Sequence, residues 1–194
     1  LPWSFQLDAV LKDPNLTTPI LERLRTDDSL YVRKSVANHL NDHSKGHPEH
    51  MLQLLRTWDL GHPHTAWIAK HACRTLIKRG DPEALALFAF DGAVKLRVDD
   101  LVIAPAHLQL GGTLGIAFTL VSEVARSQRL VVDYAIHYRK ANGMSTRKVF
   151  KLKELELGPD GRAAINKRQR IMDFSTRTHH PGEHVVEILV NGKE

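Results

Sequence analysis

The chain has one cysteine in 194 residues, Cys73, which excludes an internal disulfide framework and fits a reducing cytoplasm. No apolar run approaches the roughly 20 residues that a membrane-spanning helix needs, and no basic-then-apolar leader is present, so a soluble protein without membrane association is expected. Glycine-rich phosphate loops, G-x-S-x-G elbows and Walker-type lysines are also missing, which leaves phosphoryl transfer and serine hydrolysis without their usual machinery. Histidine is abundant, with 12 in the chain, but His39, His43, His47 and His50 follow no ligand motif and have no nearby Cys or Glu-x-x-His partner. No metal site is expected there. These histidines are read as surface groups, partly cationic near neutral pH.

What is present falls into two halves. The length suits one or two domains, and the net charge of +5 with a pI near 9.4 suits a partner that carries phosphates. Up to Gly92, apolar residues recur at helical spacing between short polar breaks. The pattern predicts helices over 3–12, 17–25, 30–44, 49–58 and 65–78, with a short sixth helix entered through Asp81-Pro82-Glu83. A spacing of about 35 to 40 residues between successive pairs points to stacked repeats of the HEAT type, and a plain bundle fits the same pattern. After Gly92 come short segments rich in branched and aromatic residues: 101–110, 113–122, 128–138, 147–157, 163–171 and 184–193. That rhythm predicts an immunoglobulin-like β-sandwich without the paired cysteines and core tryptophan of antibody domains. The expected organisation is a helical repeat domain over 1–92 and a sandwich over 93–194. Because the chain opens at Leu1 rather than Met, it is expected to be the C-terminal part of a longer one.

Two helices have unusual polar faces. On the helix from Leu30, the residues Lys34, Asn38, Asn41 and Lys45 fall within an arc of about 60°, with Asp42 just beyond. Ammonium and amide groups donate to a phosphodiester backbone, whereas a carboxylate is repelled by it, so Asp42 is the odd member. Asn38 and Asn41 serve equally well as inter-helix hydrogen-bonding groups, and Asp42 alone reads as well as a surface salt-bridge partner. The next such helix carries Trp67, Lys70, His71, Arg74 and Lys78 on one arc, a basic stripe led by an aromatic. It suits DNA contact, or a solvated face with Trp67 in the core. If the two helices are equivalent members of a repeat stack, their cations converge on one groove.

The segments LPW, YVRKSVANHLNDHSKGHPEH and TAWIAKHACRTLIKRGDPEALALFAF together resemble the AlkC branch of the DNA alkylation repair glycosylases. The resemblance covers about Leu1 to Phe90 and implies HEAT-like helices, with an immunoglobulin-like domain in some members. It also implies binding of double-stranded DNA and hydrolytic removal of N3-alkylated bases such as 3-methyladenine and 3-methylcytosine. Trp3 corresponds to the LPW tryptophan beside the lesion and Asp42 to the acid of the NHLND motif. A further acid used by the family lies upstream of LPW, in the part expected to precede Leu1. No cofactor and no metal is implied, and a cytoplasmic monomer is expected. A non-catalytic DNA-binding module and a protein-interaction scaffold are the competing expectations.

Overall fold

The computed structural model describes residues 7–175 and 178–194, and the chain forms two compact units that meet between Phe88 and Ala89. This boundary lies four residues before the expected one because Asp91 already belongs to the second unit. Its carboxylate accepts from Arg126 Nη1 at 2.7 Å and from the Arg129 backbone N–H at 2.6 Å.

Among the described residues, the first unit consists of α1 (Asp8–Lys12), a 3-10 turn at Pro14–Leu16, α2 (Thr18–Leu24), α3 (Leu30–His43), α4 (Pro48–Arg56), α5 (Pro63–Ala72), α6 (Arg74–Lys78) and α7 (Pro82–Leu87). Local chemistry sets most of the boundaries. Prolines stand in the first turns of α4, α5 and α7, where the missing N–H has no intrahelical partner to lose. Asp81 caps α7 by accepting from the Ala84 N–H at 2.9 Å. Ser29 is the N-cap of α3, and its own N–H is held by Asp27 Oδ1 at 2.7 Å. Gly80, with φ of +71°, adopts the left-handed conformation that closes α6.

The core of this unit joins Leu40 of α3, Met51, Leu52 and Leu55 of α4, and Ile68 of α5, all at most 2 % exposed. Each buried side chain of this size contributes about 1.5–3 kcal/mol. Ala37, Ala69, Ala72 and Cys73, all fully buried, keep the space between α3 and α5 narrow enough for the helices to pack closely. Burial pushes the Cys73 thiol up to about 12, with the Asp81 charge adding to the shift, so it is an apolar core group. Hydrogen bonds join Asn38 to Arg74 and Asn41 to Thr75, so α3 runs alongside α5 and α6 in the same direction. A sequence offset of roughly 36 residues brings like residues into register: Val32 with Ile68, Lys34 with Lys70, Ala37 with Cys73, Leu40 with Leu76. These are equivalent helices of stacked HEAT-like repeats.

One expected helix is not continuous. The run 65–78 divides at Cys73, where ψ reaches −1°, and Arg74 Nη1 donates to the His71 carbonyl across the joint at 2.6 Å. A side chain bonded to a carbonyl of the ladder is a recognised cause of such a kink.

The second unit is an immunoglobulin-like sandwich of two three-stranded antiparallel sheets. One has the order β1 (Leu96–Ala104), β2 (Thr113–Ser122), β5 (Arg162–Arg170); the other has β4 (Ser145–Leu157), β3 (Gln128–Arg139), β6 (Val185–Val190). Inward residues alternate along β2 (Leu114, Ile116, Phe118, Leu120) and β3 (Leu130, Val132, Tyr134, Ile136, Tyr138) to make one core. Tyr134 occupies its centre, fully buried, stacked 5.1 Å from Phe150, with its hydroxyl donating to Gln169 Oε1 at 2.7 Å.

Two bulges explain where the alternation slips. In β4, Lys153 faces Val132 and Lys151 faces Asp133, so Leu152 is the extra residue, and Phe150, Leu152, Leu155 and Leu157 all reach the core. In β1, a second bulge between Asp99 and Val102 places Asp100 at φ +55°. β1 therefore begins at Leu96 and ends at Ala104, instead of covering the expected 101–110.

Candidate active site and nucleic-acid interface

Asp42 lies in the last turn of α3, the end where the helix dipole disfavours a carboxylate by about 0.3–1 kcal/mol. Its side chain is half exposed and meets Lys45 Nζ at 2.6 Å. Partial burial pushes the carboxyl upward, but the Lys45 hydrogen bond and the charges of Lys45 and Arg74 outweigh it and hold Asp42 below the ordinary carboxylate range. It is an anion at neutral pH, accessible to solvent.

Asn38 sits one helical turn earlier, on the same side of α3 as Asp42, and Lys34 one turn before that. Across the helix pair, Arg74 Nη2 donates to Asn38 Oδ1 at 3.0 Å while Arg74 Nη1 holds the His71 carbonyl. His71 stacks on Trp67 with ring centroids 5.0 Å apart and planes inclined by 9°. Burial lowers the His71 pKa, with the charges of Arg74 and Lys34 adding to it, so the ring that faces Trp67 is the neutral imidazole. The structure thus brings Lys34, Asn38, Asp42, Lys45, Trp67, His71 and Arg74 onto one continuous face. Trp67 is at the edge of exposure, at 36 %, and is not a core residue.

Asn41 and the histidines depart from expectation. Asn41 is buried, at 4 % exposed, and its Oδ1 accepts from Thr75 Oγ1 at 2.8 Å, so it joins two helices and does not reach the groove. Helical phasing puts it near Asn38, but α6 covers its side of α3. Lys70 is half-buried, with its ammonium 5.8 Å from the centroid of Phe88 at the end of α7. Two of the histidines hold hydrogen bonds within the protein. His39 Nε2 meets Thr17 Oγ1 at 3.0 Å and His47 Nε2 meets the Leu11 carbonyl at 2.7 Å. His43 is buried, and that burial, with the charges of His39, His47 and His50, lowers its pKa to about 4. Lys78 is half-buried at the end of α6. Trp3 lies outside the described residues.

The sequence reading passed over Tyr31. It is the most exposed large hydrophobic side chain of the described residues, at 81 %, and it occupies in α3 the position that Trp67 occupies in α5. The 36-residue register was the signal that could have found it. Among the described residues, no group of three or more His, Cys, Asp or Glu is arranged to hold a metal, and no helix is long and apolar enough to cross a membrane.

A stack of HEAT-like helices with one carboxylate in a basic face, followed by an immunoglobulin-like sandwich, defines the class to which the chain belongs. Residues 97–194 match the family model described as the C-terminal Ig-like domain of the uncharacterised protein YhaZ, and the chain belongs to that family. The chain is 42% identical over 193 residues to YhaZ of Bacillus subtilis (strain 168), with 100% of this chain and 54% of YhaZ covered. The Pseudomonas fluorescens alkylpurine DNA glycosylase AlkC, solved bound to DNA containing an abasic site analog, superimposes with a TM-score of 0.94 at 50% identity. That match covers 100% of this chain and 54% of AlkC, so the chain spans about half the length of each relative. The resemblance to the AlkC branch therefore extends through both units.

Proposed function

We propose that the chain is part of a DNA glycosylase that binds duplex DNA and hydrolyses the N-glycosidic bond of N3-alkylated bases, 3-methyladenine and 3-methylcytosine among them. The observation that carries this reading is Asp42: a solvent-accessible carboxylate, held ionised inside a face of Lys34, Asn38, Lys45, His71 and Arg74. The likeness to an alkylpurine DNA glycosylase over the full chain supports it.

The chemistry suits those groups. An N3-alkylated base carries a positive charge and leaves readily, so no strong general acid is needed. Positive charge then develops on the sugar ring, and a fixed carboxylate stabilises that state more than the bound substrate. In this reading Asp42 also orients the attacking water. Trp3 is the proposed wall for the cationic lesion, an interaction of about 0.5–2 kcal/mol. Lys34, Asn38, Lys45, Trp67 and Lys78 supply the contacts to the DNA, mostly through its phosphates. No step requires a metal or organic cofactor.

The test is release of 3-methyladenine from duplex DNA by the full-length protein and by its Asp42→Asn variant under single-turnover conditions. A loss on the order of 10²-fold or more in the variant is expected; unchanged release would remove Asp42 from the chemistry. Salt-sensitive duplex binding without any base release would leave a non-catalytic DNA-binding module.

A further inference from the structure

Arg74 stands on the basic face, yet it is not organised as a phosphate ligand. It is half-buried, and both terminal nitrogens of its guanidinium already donate within the protein, Nη1 to the His71 carbonyl at 2.6 Å and Nη2 to Asn38 Oδ1 at 3.0 Å. The first bond anchors the side chain to the kink between α5 and α6. The second crosses to α3 and decides the orientation of an amide. An asparagine has one accepting end and one donating end, and a guanidinium only donates, so the Asn38 oxygen must face Arg74. Its Nδ2 then faces away from Arg74 and has no hydrogen-bond partner among the described residues. That donor lies between Lys34, one turn before, and Asp42, one turn after, with Cβ separations of about 6 Å along the helix.

We propose that Arg74 is a positioning residue that locks Asn38 with its amide N–H groups presented to a DNA phosphate beside Asp42, and that Asn38, not Arg74, makes the contact. The inference rests on the DNA-binding part of the proposed function. Its physical basis is geometric. Lysine has the charge of arginine but not the planar fork that sets Nη1 on the His71 carbonyl and Nη2 on the Asn38 oxygen in one fixed plane. The proximity of Arg74 to Asp42 also appears in their mutual influence: each charge favours the ionised form of the other. Arg74 thus orders the neutral donor and supports the neighbouring anion from the same place.

The experiment is a double-mutant cycle on duplex affinity in the full-length protein, with Kd measured across a range of salt concentrations. Arg74→Lys and Asn38→Ala are each expected to weaken binding about tenfold, and the double variant no more than either alone, because both remove the same contact. The slope of log affinity against log salt stays unchanged in Arg74→Ala, since an amide displaces no counterion. A slope reduced by about one, or additive losses in the double variant, would show that Arg74 itself neutralises a phosphate and would overturn the proposal. Should Arg74→Ala fail to fold, Arg74→Lys gives the cycle and Arg74→Gln the salt slope. Asn38→Asp supplies an independent arm. It keeps a partner for Arg74, and so keeps the fold, but presents a carboxylate to the DNA, and it should bind more weakly than Asn38→Ala. Equal or tighter binding by Asn38→Asp would contradict the assignment. Absence of base release with these couplings intact would sink only the glycosidic chemistry; absence of duplex binding by the parent protein would sink both.

Discussion

The helix α3 and its repeat partner, the kinked pair α5 and α6, are built on one pattern and end differently. Offset by 36 residues, Tyr31 matches Trp67, Val32 matches Ile68, Lys34 matches Lys70 and Leu40 matches Leu76, so aromatic lead, apolar spine and first lysine are shared. The last turns diverge: Asn38, Asn41, Asp42 and His43 stand against Arg74, Ile77, Lys78 and Arg79. One repeat finishes in a carboxylate and a buried neutral imidazole, the other in cations. The shared half holds the stack together; the divergent half sets the charge that each repeat presents at its end.

The comparison can be broken most severely in the shared spine. Replacing Ile68 with Ala empties a fully buried site and should lower unfolding free energy by about 2–5 kcal/mol, seen as a shift in urea midpoint, with Leu40→Ala costing a similar amount. Near-neutral effects at both would mean that the two helices do not share a core. Asn41→Ile, which gives α3 the residue of its partner repeat, is milder. It leaves the Thr75 hydroxyl without its acceptor and should cost about 1–2 kcal/mol of stability while leaving the salt slope of duplex binding untouched. A change in that slope would return Asn41 to the DNA surface.

A third test uses pH. His43 has a folded pKa of about 4, below the ordinary histidine value of 6.5, so its contribution to stability is complete above pH 6.5 and is lost as pH falls towards and through 4. Urea midpoints measured from pH 7 to 4 should therefore fall more steeply in the parent protein than in His43→Gln; parallel curves would refute the burial argument. The smallest effect is expected from Lys45→Ala. The Lys45–Asp42 pair is exposed and should contribute no more than about 1 kcal/mol to folding, but its loss should move the carboxyl of Asp42 upward in a side-chain NMR titration.

Periodicity carried the helices, the strands and most of the polar face, because each rests on side chains repeated along one element. It failed where a neighbouring element decides. Asn38 and Asn41 are close in helical phase, yet α6 buries one and Arg74 only tethers the other. The kink at Cys73 follows from a backbone torsion and one guanidinium bond, neither of which has a mark in the pattern of apolar residues. In the sandwich, the alternation of apolar residues in β4 breaks at a bulge at Leu152. The start of β1 was hidden because Asp99 and Asp100 look like a turn, whereas Asp100 is the positive-φ residue of a bulge. The density of histidines had no motif to explain it, since their partners are hydroxyls and a carbonyl far away in sequence.

In the proposed reaction the two repeats divide the labour, with Asp42 acting on the sugar and Lys78 only on the DNA backbone. The most direct measurement places Asp42→Asn beside Lys78→Gln in the full-length protein and reads single-turnover release of 3-methyladenine and duplex Kd for each. Asp42→Asn is expected to lose release on the order of 10²-fold or more with affinity kept or improved, while Lys78→Gln binds more weakly, with a salt slope smaller by about one, and releases base at the parent rate when saturated. Unchanged release by Asp42→Asn, or equal losses of rate in both variants, would contradict it.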